Sequence, residues 1–243
     1  MNDSLAASRS FHTTRWSVVL AAGHKSSPAA NAALAELYER YWFPIYAYIR
    51  RRVNDPHEAE DLTQDFLCRL NEKNVWAAAD PARGRFRSFL LTAARNFLAS
   101  EWKRAGAQKR GGGLRADSLD FGSGESRLSR HPADTHTPEA EFDRRWAITL
   151  LERVLSRLEG EFTASRKIDQ FQVLKPFLTG RSPETSLGEA ATRLEMTHGA
   201  VKTAAHRLRR RYRELLREEI AETVGSPEEV EDEIRSLFEA LSG

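Results

Sequence analysis

The sequence SLGEAATRLEMTHGAVKTAAHRLRRRYRELL, residues 186–216, spells two helices joined by a tight turn. Ser186 and Glu189 have the spacing of a capping box, so a short helix is predicted to run to about Leu194. Thr197 is predicted to cap a second helix, in which apolar residues recur at helical spacing. These apolar positions are Val201, Ala205, Leu208, Tyr212 and Leu215. The stretch therefore indicates a helix-turn-helix.

The opposite face of the second helix is strongly basic. Its candidate DNA-binding residues are His198, Lys202, Thr203, His206, Arg207 and Arg210. A charged face taken alone is usually just the solvated side of a helix. Here Glu214 is the only acid between Lys202 and Arg217, so pairing at four-residue spacing is scarce. The pattern therefore favours a helix that enters the major groove of DNA.

This stretch, from Ser186 to Glu219, resembles region four of bacterial sigma factors of the sigma-70 class, extracytoplasmic-function (ECF) group. The resemblance rests on Gly199, Ala200, Val201 and Lys202, followed by His206, Arg207, Arg209 and Arg210. It implies that the second helix reads the minus-thirty-five promoter element as duplex DNA. Many members have serine and arginine after the lysine, where this chain has Thr203 and Ala204. We therefore expect a promoter element that differs or is held more weakly.

The composition limits the class of protein. The chain has 243 residues, 40% hydrophobic and 30% charged, which is enough for two small helical domains. Apolar residues recur at intervals of three and four, so we predict an all-α fold. The net charge is only +2, but Glu101 is the only acid from Ala82 to Gly113. Local clusters, rather than the total charge, decide where an anion binds.

The sequence also excludes several kinds of site. Cys68 is the single cysteine, which excludes an internal disulfide and a multi-cysteine zinc site. No apolar run approaches the roughly 20 residues that span a bilayer, and the start lacks the pattern of a secretory leader. We therefore expect a cytoplasmic protein that does not enter the membrane. We predict no catalytic residue, no metal site and no cofactor.

A second motif lies nearer the N-terminus, where Asp55, Pro56 and Glu58 are predicted to cap a helix. Together with the helices around it, this motif resembles region two of the same sigma family. The matching residues are Ala59, Glu60, Asp61, Leu62, Thr63, Gln64, Asp65 and Phe66, then Phe86, Arg87, Phe89, Leu90, Arg95 and Asn96. The resemblance implies that Asp61, Gln64 and Asp65 bind the clamp helices of the largest subunit of core RNA polymerase. Their acidic stripe complements basic clamp residues, whereas without the resemblance it is an ordinary solvated face.

The helix predicted to start near Phe86 carries arginines and a tryptophan. The resemblance implies that this helix and the loop before it bind the minus-ten promoter element as separated single strand. The candidate contacts are Arg83, Arg85, Arg87, Arg95, Asn96, Trp102 and Lys103. Arginines without neighbouring acids suit phosphates, and an aromatic ring contributes about 1 to 3 kcal/mol per stacked base. The alternative for Trp102 is a helix end packed on its own domain.

The patterns divide the chain into five parts. They are an N-terminal extension with a short helix around Trp16 (1–28), a region-two-like domain (29–105), a flexible linker (106–137), a region-four-like domain (138–219) and an acidic amphipathic C-terminal helix (220–243). Glycine and serine dominate the linker. Thr137 and Pro138 are predicted to open the second domain, whose first helix should break near Gly160. The C-terminal helix is expected to dock on its own domain, to mask the basic helix or to receive a regulator such as an anti-sigma factor.

The residues allow three functional hypotheses. The first is a sigma initiation factor, with core RNA polymerase and promoter DNA as partners. The second is a helix-turn-helix regulator, which would bind duplex DNA without polymerase. The third is a metal-dependent enzyme acting on nucleic acid, in which His57, Glu60, Asp61 and Asp65 would form a metal or acid-base cluster.

Overall fold

Capped amphipathic helices build the architecture. The computed structural model describes residues 28–72, 75–80, 84–107, 124–130, 137–179, 186–221, 223–224 and 226–242. The helices are α1 (Pro28–Arg50), α2 (Pro56–Glu72), α3 (Phe86–Ala107), α4 (Gly124–Arg130), α5 (Pro138–Ala164), α6 (Ile168–Leu174), α7 (Leu187–Arg193), α8 (His198–Ala221) and α9 (Glu229–Ser242), with 3₁₀ turns at Val75–Ala78 and Lys175–Thr179. The described residues contain helices and no strand, which confirms the predicted all-α class.

Some predictions fall on parts of the chain outside the described residues. They concern the helix around Trp16, the linker residues 108–123 and 131–136, and Arg83. Helix α4 lies within the predicted linker. The domain boundaries themselves stay predictions.

The first helical unit consists of α1, α2 and α3. As predicted, Asp55 caps α2, because the His57 amide donates to its carboxylate at 3.1 Å. Aromatic rings fill the space between the three helices. Tyr41 of α1 meets Phe86 of α3 edge-on at 5.3 Å between ring centroids, and Phe66 of α2 meets Phe97 at 5.4 Å. These ring contacts hold α3 against both α1 and α2.

In the second unit, α5 to α8, two predicted helix caps are confirmed and one predicted helix break is wrong. Thr137 accepts from the Ala140 amide at 3.2 Å, and Ser186 forms the reciprocal capping box that starts α7. The predicted break near Gly160 is wrong, because α5 continues to Ala164. One helical glycine costs only about 1 kcal/mol relative to alanine. The helix ends instead where Arg166 adopts a left-handed conformation, with φ 55°.

The two units pack against each other through α1 and α5 and share one continuous apolar core. Tyr48 of α1 lies edge-on to Phe142 of α5, at 6.5 Å between centroids. Buried Arg40 of α1 pairs at 2.8 Å with Glu219 of α8, which is also buried. Helix α9 packs on α5 and α8, so the C-terminal helix docks on its own domain as expected.

Candidate nucleic-acid interface

One residue in the left-handed conformation ends α7 and begins the turn into α8. Glu195 has φ 52°, and the next amide, that of Met196, donates back to the Ala191 carbonyl at 2.9 Å. This bond and the left-handed residue before it are the usual way to end one helix sharply. Thr197 then accepts from the Ala200 amide at 3.2 Å and caps α8, as predicted.

The predicted apolar stripe of α8 is buried, apart from Tyr212, which is half-buried. Burial raises the pKa of the Tyr212 phenol. All six candidate residues of the basic face, His198, Lys202, Thr203, His206, Arg207 and Arg210, are exposed. Arg210 pairs with Glu214 one turn later, at 2.9 Å. A surface of this kind can accept phosphates or base edges.

Other arginines of α8 hold the fold together instead. The Arg209 side chain donates to the Phe177 carbonyl at 2.8 Å. Arg211 binds both oxygens of Glu161 on α5, at 2.6 and 2.9 Å. Hydrogen bonding to Arg211 is the main cause that lowers the pKa of Glu161. The basic band predicted from the sequence therefore contains structural as well as available arginines.

On α3, the candidates nearest its C-terminal end are open to solvent. Arg95, Asn96, Trp102 and Lys103 are all exposed, Trp102 to 45%. Trp102 follows Arg95 by seven residues, so the two side chains lie on one side of the helix. Arg95 also lies 3.4 Å from a carboxylate oxygen of Glu139, at the start of α5. This end of α3 combines a cation with an open aromatic ring, as single-strand binding requires.

The candidates at the start of α3 are placed differently. Arg87 is buried, binds both oxygens of Glu233 on α9 at 2.7 and 3.1 Å, and also pairs with Asp143 on α5. Its guanidinium lies over the Trp146 ring, 4.6 Å from the centroid. Burial lowers the pKa of Arg87, but its interactions with Glu233 and Asp143 together outweigh this and leave the pKa raised. Arg85 is half-buried, and its guanidinium lies 2.9 Å from Glu233 Oε2, one of the two oxygens that Arg87 also binds.

The acidic stripe of α2 is on the surface. Asp61 and Asp65 are exposed and Gln64 is half-buried. Although Asp65 is exposed overall, partial burial of its carboxyl group raises its pKa, Arg69 opposes this, and three neighbouring carboxylates raise it further. The three are Glu101, Asp61 and Glu72. Asp61 and Asp65 thus present exposed carboxylates that a basic partner could contact, while Glu101 is paired with Arg69.

The structure also describes the four residues of the metal-site hypothesis, His57, Glu60, Asp61 and Asp65. His57 Nδ1 lies 3.7 Å from Glu60, and the His57 side chain is 90% exposed. Throughout the part of the chain that the structure describes, no three His, Cys, Asp or Glu side chains are grouped so that they could hold a metal ion. None of the described helices is both long and apolar enough to cross a membrane.

Residues 37–108 match the family model of sigma-70 region 2. The matched segment contains the acidic stripe of α2 and the whole of α3. This match supports a sigma-70 family sigma factor that acts in promoter recognition and transcription initiation, with core RNA polymerase and promoter DNA as partners. The region 2 family consists of transcription factors and not of enzymes. No curated protein and no solved structure matches the chain significantly.

The residues that the sequence interpretation missed are the carboxylates that meet region 2 from outside it. Glu139, Asp143 and Glu233 all follow the matched segment in sequence. One signal was present for Glu233, which is three residues after Val230 and four before Leu237 and so shares their apolar stripe on α9. A carboxylate on a buried stripe requires a cationic partner. Nothing in the sequence identified that partner as Arg87.

Proposed function

We propose that this protein is a sigma initiation factor of the ECF group. It binds core RNA polymerase and directs it to promoters, reading the minus-ten element as opened strand and the minus-thirty-five element as duplex. The observation that carries the proposal is the region 2 match at residues 37–108, because it contains both the exposed acidic stripe and the arginine-rich helix.

The acidic stripe of α2 supports the polymerase contact. Asp61 and Asp65 are exposed on one face, and Gln64 lies beside them. The clamp helices of the largest subunit present basic residues, and opposite charges at an interface speed association and fix orientation. We therefore infer that these three residues form the polymerase-docking surface.

Two separate surfaces support DNA binding. The exposed basic face of α8 has the geometry of a recognition helix that follows a capped, shorter helix. The exposed end of α3, with Arg95, Asn96, Trp102 and Lys103, suits a single strand. Extruding a base costs a few kcal/mol, an amount that a small set of stacking and phosphate contacts can offset without ATP.

The experiment is reconstituted transcription with core RNA polymerase and a genomic promoter library. The wild-type chain should give polymerase-dependent initiation at a common promoter sequence. The double variant Asp61→Lys, Asp65→Lys should lose binding to core polymerase, because like charges would then face the clamp. The control is Glu239→Lys, which reverses an exposed carboxylate on α9 and should leave core binding intact.

Two results would contradict the proposal. One is normal core binding by a folded double variant, which would remove α2 from the interface. The other is tight, specific binding to duplex DNA by a chain that does not associate with core polymerase. That second outcome would identify a helix-turn-helix regulator instead.

A further inference from the structure

The minus-ten arginines that the structure describes each meet a carboxylate from the second half of the chain. Arg85 and Arg87 share Glu233 of α9, at 2.9 and 2.7 Å. Arg95 lies 3.4 Å from Glu139 of α5. All three arginines are minus-ten candidates by the family resemblance, and the proposed function already assigns Arg95 to the strand. In this arrangement each of the three arginines is therefore paired with a carboxylate of the same chain.

We propose that α9 is an intramolecular competitor of DNA, with Glu233 holding Arg85 and Arg87 until α9 is released. The inference rests on the proposed function, since it assumes that region 2 binds the minus-ten strand. A carboxylate presents two oxygens to a guanidinium in the same fork geometry as a phosphate. Glu233 uses both oxygens on Arg87, and the second oxygen also meets Arg85.

Burial makes this competition effective. Glu233 is fully buried and Arg87 is 9% exposed, so a DNA phosphate cannot reach Arg87 while α9 is in place. The Trp146 ring closes the other side of the guanidinium. Arg95 differs, because its pair with Glu139 is open to solvent and screened. DNA can displace Glu139 directly, whereas a phosphate can reach Arg87 only after α9 moves and must then also displace Asp143 of α5.

The part that moves in this proposal is α9 rather than a whole unit. The α1 and α5 interface is built from buried aromatic rings and belongs to the continuous core. Helix α9 has fewer such anchors: Val230 and Leu237 are buried, whereas Phe238 is 53% exposed. Its pair with α8, Arg217 to Glu231, is largely exposed. Release of α9 would break the buried pairs of Glu233 but leave the apolar interface of α1 with α5 intact.

The first test uses the full chain with Glu233→Gln, which keeps the side-chain size and removes the charge. The probe is a labelled single-stranded DNA of random sequence, and the binding constant is measured over a series of salt concentrations. Binding should tighten, and the slope of log K against log salt should steepen by about 0.7 for each phosphate newly contacted. Arg87→Gln added to this variant should remove part of the gain. The control is Glu239→Gln, the same charge change on the exposed face of α9.

A second measurement needs no variant. In the wild-type chain bound to core polymerase and promoter DNA, the amides of α9 should exchange with solvent faster than in the free chain. The inference is overturned if α9 stays equally protected in that complex. It is also overturned if folded Glu233→Gln binds single strands with wild-type affinity and slope, or if Glu239→Gln gives the same gain.

These outcomes are separate from failure of the proposed function. If the wild-type chain initiates transcription and Glu233→Gln shows no gain, only the role of α9 fails. If neither chain associates with core polymerase, the proposed function itself fails.

Discussion

At the scale of single residues, the surroundings of each basic side chain decide what it can bind. Lys202 and Arg207 are exposed on α8, and no ion pair forms at either within the described residues. We expect Lys202→Ala and Arg207→Ala each to weaken promoter binding by about 1 to 3 kcal/mol where a base is read. Affinity at fixed salt is the measurement, with Arg235→Ala as control, an exposed arginine on α9 outside the candidate face. Unchanged affinity would remove the tested residue from the interface.

Arg211 is the contrasting residue, because its charge stabilises the fold. The pKa of Glu161 is lowered by its hydrogen bond to Arg211, so the pair stabilises the folded state above the ordinary value of 4.5. That contribution disappears as pH falls through the lowered pKa and Glu161 becomes protonated. Arg211→Gln should cost about 0.5 to 1 kcal/mol at neutral pH, since both groups are partly exposed. Thermal unfolding should show this loss at neutral pH and almost none well below pH 4.5.

Arg210→Gln is the matched control for that experiment. Arg210 pairs with Glu214 of its own helix, so its removal breaks no tie between α8 and α5. Its effect on unfolding should be clearly smaller than that of Arg211→Gln. An equal loss in both variants would show that the tie to α5 contributes nothing beyond the charge of α8.

At the scale of elements, the helix-turn-helix depends on one backbone conformation. Glu195 lies at φ 52° in the turn between α7 and α8, where a side chain other than glycine costs about 1 to 2 kcal/mol. Glu195→Gly should leave stability unchanged or raise it by up to about 1 kcal/mol. Glu195→Val loses the same carboxylate but adds a branched side chain, so it should destabilise by about 1 to 2 kcal/mol. Chemical denaturation measures both variants, and equal stabilities would contradict the argument.

The starts and ends of the helices also show which features could be predicted from the sequence. Ser186, Thr137 and Asp55 act on amides two or three residues away, so the starts of their helices could be predicted from local sequence. The end of α5 could not, because a single exposed Gly160 is too weak a signal to stop a helix. The exposure of the candidates on α8 and α2 followed from helical spacing, whereas the binding role of those on α2 came from the family resemblance. The burial of Arg87 could not be predicted, because its partner Glu233 is 146 residues away.

At the scale of the whole molecule, the two units are joined by more than a covalent segment. Arg153 of α5 and Arg40 of α1 both bind Glu219, at 3.1 and 2.8 Å, next to the apolar contact of α1 with α5. A buried carboxylate held by cations from both units would lose a partner if they separated. If α9 alone is released, Glu219 keeps both Arg40 and Arg153 as partners. If the two units separate, Glu219 loses Arg40.

The shared core predicts that both units unfold together. Phe162 of α5 packs on Phe171 of α6, at 5.5 Å between ring centroids, and both belong to the second unit. Because the apolar cluster continues into α1 and α2, we expect Phe162→Ala to weaken the whole chain, by up to about 3 kcal/mol for a half-buried ring. Hydrogen exchange followed by peptide should then show the slowest amides of α2 and α8 losing protection by the same amount. In independent domains only α8 would lose protection, since α2 makes no use of Phe162. Exchange in α2 that stays at the wild-type rate would therefore show that the core, although continuous, does not couple the two units.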